Sequence, residues 1–163
     1  QNLFAETLLK TLGSRSSNPG STEGGRAAVR AVLTAWGVPA TEIVMVDGSG
    51  LSRYNLITPD ALVTVLEHVY RDERLRDTFA STLPCAGVDG TLSDRMNGTA
   101  AERNVCAKTG SFSNARSLAG YVRTADDEPL AFAILANNYG IDPAVIDRVS
   151  DAILVALAQF SRR

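Results

Sequence analysis

The chain has 163 residues and 16 basic side chains, of which only Lys10 and Lys108 are lysines. The second lysine heads the tetrapeptide Lys108-Thr109-Gly110-Ser111. There an ammonium, two hydroxyls and a glycine that admits a close backbone approach could together grip a carboxylate. Taken alone, the same tetrapeptide also reads as a solvated lysine entering a turn. A second cluster, Asp47-Gly48-Ser49-Gly50-Leu51-Ser52-Arg53-Tyr54-Asn55, displays a serine and an asparagine on a glycine-tightened loop. A hydroxyl such as that of Ser52 suits proton relay, and a carboxamide such as that of Asn55 suits hydrogen bonding to a peptide. The plainer reading is a loop whose Ser and Asn side chains satisfy local backbone groups. The single histidine, His68, falls off the apolar stripe of its helix and reads as a surface residue. One histidine and two cysteines nearly exclude a zinc site built from those ligands. Asp126-Asp127-Glu128 reads as a solvated hairpin turn, and no metal or cofactor is expected.

Apolar periodicity places these clusters on recognisable elements. Leu3, Phe4, Thr7, Leu8 and Leu12 have helical spacing, with Gly13 as the stop and a polar loop over residues 13–21. Ser21 caps a second helix whose inner side is Ala28, Val32, Ala35 and Trp36. Residues 43–46 are a short buried strand or extended segment running into the Asp47 cluster. Thr58-Pro59 opens a third helix with Leu62, Val65, Leu66 and Val69 inward. A fourth helix covers residues 71–81, and a glycine-bearing loop follows over residues 86–92. Residues 104–108, 117–124 and 130–137 read as three strands, so Lys108 ends the first of them. Alternation puts Lys108 and Cys106 on one face, Val105 and Ala107 on the other. Asp142-Pro143 caps a last helix with Val145, Ile146, Val149, Ile153, Leu157 and Phe160 inward, and Arg162 and Arg163 at its negative end. The order is helices, an antiparallel meander, then a helix packed on it. That is an α+β fold, an antiparallel sheet with packed helices.

Composition narrows the function classes. Formal net charge is −2 with 18 acidic residues, and no basic block marks a nucleic-acid footprint. The longest apolar runs, residues 130–136 and 152–158, are too short to span a bilayer. The length suits one domain, residues 1–163. The opening Gln1-Asn2-Leu3-Phe4 shows neither an initiator Met nor a signal peptide, so the chain reads as processed, truncated or incompletely represented.

The motifs become specific in combination. A Lys-Thr-Gly paired with an upstream serine motif is part of the signature of penicillin-recognising serine enzymes, whose third element is Ser-x-x-Lys. The string from Asp47 to Asn55, the stretch Gly87-Val88-Asp89-Gly90-Thr91-Leu92, and Ala107-Lys108-Thr109-Gly110-Ser111 occur here in that order. In this the chain resembles the C-terminal part of the D-alanyl-D-alanine carboxypeptidase/endopeptidase family, the low-molecular-mass class C penicillin-binding proteins. The start of the chain and Gly24-Gly25 carry the same resemblance. It implies a penicilloyl serine transferase fold, with an active site between the sheet and a helical lobe. It also implies a serine that attacks the D-alanyl peptide bond and forms an acyl-enzyme, with β-lactams as alternative acylating agents.

By motif matching, Ser52 and Lys108 are the catalytic candidates, with Ser52 passing a proton to the leaving amine and Lys108 supplying positive potential. Thr109 and Ser111 would hold the terminal carboxylate, with Gly110 beside them and the Ser111 N–H as half of an oxyanion hole. The family's middle motif is Ser-x-Asn, whereas Tyr54 and Asn55 follow Ser52 at the second and third positions. Asn55 takes the amide-binding role, with Tyr54 as its alternative. The residues three before the two lysines are Thr7 and Val105, so the chain holds no Ser-x-x-Lys. The expectation is a C-terminal fragment carrying half an active site, inactive alone and completed by the N-terminal part of the same protein. Its partners would be peptidoglycan stem peptides and β-lactams, and the resemblance implies a periplasmic or extracellular place at the cell envelope. Cys85 and Cys106 are either two buried thiols or, in an oxidising envelope, a disulfide closing a loop of about 20 residues. The alternatives are a noncatalytic wall-peptide binding module and a β-lactamase of the same fold.

Overall fold

The computed structural model describes residues 1–14 and 20–163. Most of the expected polar loop, with Ser16 and Ser17, lies outside the described residues. The chain divides into two compact units, Gln1–Val65 and Leu66–Arg163.

The first unit holds helices α1 (Asn2–Gly13) and α2 (Thr22–Ala35) and a two-stranded antiparallel pair, β1 (Ile43–Val44) with β2 (Leu56–Ile57). It also holds the start of α3 (Pro59–Arg71). Ser21 caps α2 by accepting the Gly24 N–H. The two helices meet backbone to backbone rather than through interleaved side chains. A Cβ on Gly25 would sit 2.0 Å from the carbonyl oxygen of Leu9, a clash nothing flexible can relieve. This contact corrects both expected inner stripes. Leu9 and Gly13 are buried on α1, and Gly24 and Gly25 on α2. Leu3, Phe4, Leu8 and Leu12 are exposed, and so is Val32. β2 is too short to register as a periodic pattern and pairs antiparallel with β1. Thr58 caps α3, accepting from Ala61 N–H and donating to the Glu42 carboxylate.

The second unit holds the rest of α3, then α4 (Glu73–Ala80), the strands β3 (Cys106–Phe112), β4 (Ala115–Arg123) and β5 (Pro129–Asn137), and α5 (Pro143–Gln159). α3 runs to Arg71, and Asp72 begins α4 by accepting the Arg74 N–H. Arg74 beside it holds the Asp72 carboxyl down to about 2. His68, inside α3, is half-buried rather than a plain surface residue. The strands form one antiparallel sheet in the order β3-β4-β5. Its core side packs Ala107, Leu118, Val122 and Phe132 against Leu92, Val105, Leu154 and Ala158. The inward stripe of α5 is Ser150, Leu154 and Ala158, while Val149, Ile153 and Phe160 are exposed. Small and branched side chains at four-residue spacing let this helix lie close on the sheet, which the larger residues would prevent. Arg95 pairs with Asp151 and Asp147 on α5, fastening the long segment before β3 to that helix. Arg162 and Arg163 engage Glu128 and Asp126 of the β4–β5 turn, so the expected solvated acidic turn is ion-paired.

Candidate active site

Each unit presents one of the two chemical clusters. In the first unit, residues 47–55 fold around the Asp47 carboxylate. Its two oxygens accept the N–H groups of Gly50 at 2.8 Å and Ser52 at 2.9 Å, and the Asn55 carboxamide at 2.9 Å. Asn55 returns its own oxygen to the N–H groups of Val46 and Asp47. The Asn55 hydrogen bond, followed by those from Gly50, Ser52 and Ser49, holds the Asp47 carboxyl below its usual range against the opposing cost of partial burial. Glu6 on α1 ties the loop down by accepting the Gly48 N–H at 2.7 Å. The Asn55 side chain is therefore engaged in closing its own loop, which is the local role such residues commonly take. Ser52 is half-buried, and its oxygen accepts the Tyr54 N–H at 3.2 Å. Tyr54 itself is 77% exposed.

In the second unit, Lys108-Thr109-Gly110-Ser111 lies inside β3 rather than at its end. A glycine after Lys-Thr reads as a strand terminator, yet β3 continues to Phe112 and turns tightly into β4. Gly110 stays in the strand because Ser117 on β4 fills its missing side-chain position: a Cβ there would lie 2.2 Å from Ser117 Oγ. Ala107 is fully buried and Lys108 is exposed, as alternation requires.

The outer edge of β3 is only partly covered. Residues 84–86 run antiparallel beside its start, with Ala86 N–H donating to Val105 O and Ala107 N–H to Pro84 O. The Cys85–Cys106 disulfide joins the same two segments. Residues of an antiparallel strand turn their N–H and C=O alternately to one neighbour and the other. Ala107 turns outward, so Thr109 and Ser111, in phase with it, also aim their backbone groups away from β4. Beyond Ala107 no strand pairs with this edge among the described residues. The Lys108 ammonium reaches the same side and donates to Thr109 O. The result is a short run of outward N–H groups flanked by an ammonium and two hydroxyls. Such a surface can hydrogen-bond an extended peptide and neutralise its terminal carboxylate.

Sequence reasoning gave no role to Thr91. It stands in the 3-10 turn Gly90–Leu92, where its Oγ1 accepts from Thr109 Oγ1 at 2.9 Å. The stretch over residues 87–92 carries part of the family resemblance, but nothing in the sequence shows that the Thr91 hydroxyl would meet that of Thr109.

Comparison with known proteins bears on this geometry. Residues 1–160 match the model of the D-Ala-D-Ala carboxypeptidase 3 (S13) family. The chain is 41% identical over 165 residues to a D-alanyl-D-alanine carboxypeptidase of Actinomadura sp. (strain R39), covering 98% of this chain and 30% of that protein. It is 35% identical over 167 residues to D-alanyl-D-alanine carboxypeptidase DacB of Haemophilus influenzae, covering 99% of this chain and 33% of that protein. The crystal structure of penicillin binding protein 4 (dacB) from Haemophilus influenzae, complexed with a β-lactam, superposes with a TM-score of 0.89 at 30% identity. That match covers 98% of this chain and 39% of the other. A TLA-3 extended-spectrum β-lactamase shares the fold at a TM-score of 0.64 and 19% identity. The fold is thus the helix-and-antiparallel-sheet fold of the penicilloyl serine transferases, and the chain spans about a third of the length of the curated relatives it matches.

Proposed function

Because the chain belongs to the D-Ala-D-Ala carboxypeptidase 3 (S13) family, we propose that it supplies the carboxylate-binding half of a serine D-Ala-D-Ala carboxypeptidase. Its substrates would be peptidoglycan stem peptides, and β-lactams would acylate the same enzyme. The observation that carries this reading is the uncovered edge of β3, where Lys108, Thr109 and the Ser111 N–H lie side by side.

The chemistry proceeds in two steps. A serine oxygen attacks the carbonyl carbon between the two D-alanines, the C–N bond breaks, and a proton passes to the departing amine. Water then cleaves the acyl ester, restoring the hydroxyl and releasing the shortened peptide as a carboxylate. In the first step the Ser111 N–H donates to the developing oxyanion, a contribution worth about 3–4 kcal/mol in such sites. The Lys108 charge and the Thr109 and Ser111 hydroxyls hold the terminal carboxylate. Ser52 is the proposed proton donor to the leaving amine. Asn55 acts one step removed, by holding the loop that carries Ser52. The attacking serine, in a Ser-x-x-Lys, is assigned to the portion of the relatives' length that this chain does not cover. The enzyme would work in the periplasm or cell envelope. No metal or cofactor enters this scheme.

The test is D-alanine release and penicillin acylation by the full-length protein. Lys108→Ala should abolish most of both while leaving the melting temperature unchanged. The 163-residue chain alone should gain no mass on incubation with penicillin. An adduct on it would overturn the division of roles. A full-length protein without Ser-x-x-Lys that still binds the peptide would favour the binding-module reading. Rapid penicillin turnover would favour the β-lactamase.

A further inference from the structure

The segment over residues 84–92 is fastened to the strand it borders at its start and braced by its own hydrogen bonds. Residues 84–86 pair with the β3 edge, and Cys85 is bonded to Cys106. The Asp89 carboxylate accepts the Cys85 N–H at 2.8 Å, and Gly87 N–H donates to Leu92 O at 3.0 Å. Leu92 is fully buried in the core. Thr91 rides on this platform, exposed, at the point where the pairing with β3 has stopped and the Lys108-Thr109 edge begins. Its hydroxyl meets that of Thr109 at 2.9 Å.

We propose that Thr91 is a positioning residue that orients the Thr109 hydroxyl toward the substrate's terminal carboxylate, and so contributes to selecting peptides with a free C-terminus. This rests on the reading of the β3 edge as the carboxylate cradle. Each hydroxyl carries one donor and two acceptor sites. In the structure Thr109 donates to Thr91. When a carboxylate arrives, the Thr109 proton turns to it, and Thr91 donates in turn to the Thr109 oxygen. The reversal needs no backbone motion and keeps both hydroxyls satisfied. It also polarises the Thr109 O–H at the moment it meets a charged acceptor. Without the Thr91 hydroxyl, the Thr109 side chain loses the partner that fixes its rotamer.

The experiment uses the full-length protein with two substrates, a peptide ending in D-Ala-D-Ala and its C-terminal amide. Thr91→Val keeps the shape and removes the hydroxyl. It should raise KM for the carboxylate peptide about tenfold, the effect of losing one well-placed polar contact, with kcat within twofold and the amide unaffected. Thr91→Ser should restore KM to within twofold of the parent. Thr91 is exposed, so Thr91→Val should melt as the parent does. If that variant fails to fold, Thr91→Ala carries the same comparison. An unchanged carboxylate KM in Thr91→Val, or an equal loss on the amide, would overturn the proposal. Thr109→Val separates the two levels. If it abolishes the carboxylate preference while Thr91→Val retains it, only the role of Thr91 fails. If Thr109→Val retains the preference too, the cradle itself is misassigned and Thr91 falls with it.

Discussion

The loop over residues 47–55 and the edge of β3 are both rich in hydroxyl, amide and charged groups, but they use them in opposite ways. In the loop, Asp47 and Asn55 point inward and satisfy one another and four backbone N–H groups. On β3, pairing with residues 84–86 stops at Ala107, so the backbone groups of Thr109 and Ser111 meet no strand partner among the described residues. The difference teaches that polar composition does not mark a binding surface. What marks it is a rigid strand edge whose backbone groups meet no strand partner among the described residues. Substitutions at Asp47 and Asn55 should therefore cost stability first, and substitutions on the edge should cost activity first.

The largest expected effect is on the edge. In the full-length enzyme, Lys108→Ala should lower kcat/KM for the D-alanyl peptide by about 1,000-fold with no change in melting temperature, as for loss of a preorganised charge in an active site. Lys108→Arg should not rescue it, because a planar guanidinium cannot replace a compact ammonium. A large fall in melting temperature instead would erase the contrast. Next comes the disulfide. Replacing Cys85 and Cys106 by Ser, or reducing the pair, should lower unfolding free energy by about 3 kcal/mol for a loop of this length. Equilibrium denaturation measures it, and an unchanged midpoint would mean the segment over residues 84–92 is held by its ladder and core contacts alone.

Ser52 decides whether the loop contributes anything besides structure. Ser52→Ala should reduce kcat by about 100-fold, at the low end for a proton-transfer group, with little change in stability. Full activity would place the relay hydroxyl elsewhere. Asn55→Ala should do the reverse, destabilising by about 1–2 kcal/mol through unsatisfied partners, and a double-mutant cycle with Asp47→Ala should show strong coupling.

The smallest effects lie in the pH profile. The Asp47 carboxyl is held below its usual range. The stability it contributes is fully present above about pH 4, and is lost as pH falls through the depressed value. Asp47→Asn should flatten that acid limb in thermal melts. Tyr121 gives the alkaline limb. Burial first, and the neighbouring Tyr70 second, push its hydroxyl up to about 12, while it donates to Leu66 O at 2.7 Å. The neutral form is the one the fold prefers, so stability is complete below about pH 10 and declines as pH rises toward 12. Tyr121→Phe should remove the decline.

Local information is strong where a residue's neighbours in sequence decide its state. Ser21, Thr58 and Asp142 could be identified as helix caps because a cap needs only its own side chain and the next turn. The three strands and the last helix were legible for a similar reason, since alternation and helical period are properties of a few consecutive residues. The Lys108 motif was legible by its residue types, and its combination with the Asp47 cluster pointed to the family. Tertiary contact decided what periodicity could not. Leu9 rather than Leu8 faces inward because α1 and α2 touch through Gly13 and Gly25. β3 runs past Gly110 because Ser117 sits where a Cβ would be. Asn55 turns into its loop because Asp47 is there to receive it, and Thr91 meets Thr109 because the segment over residues 84–92 is strapped along the strand edge. A residue's type sets which bonds it is able to make. Which of them it does make depends on groups distant in the chain, and only folding brings those within reach.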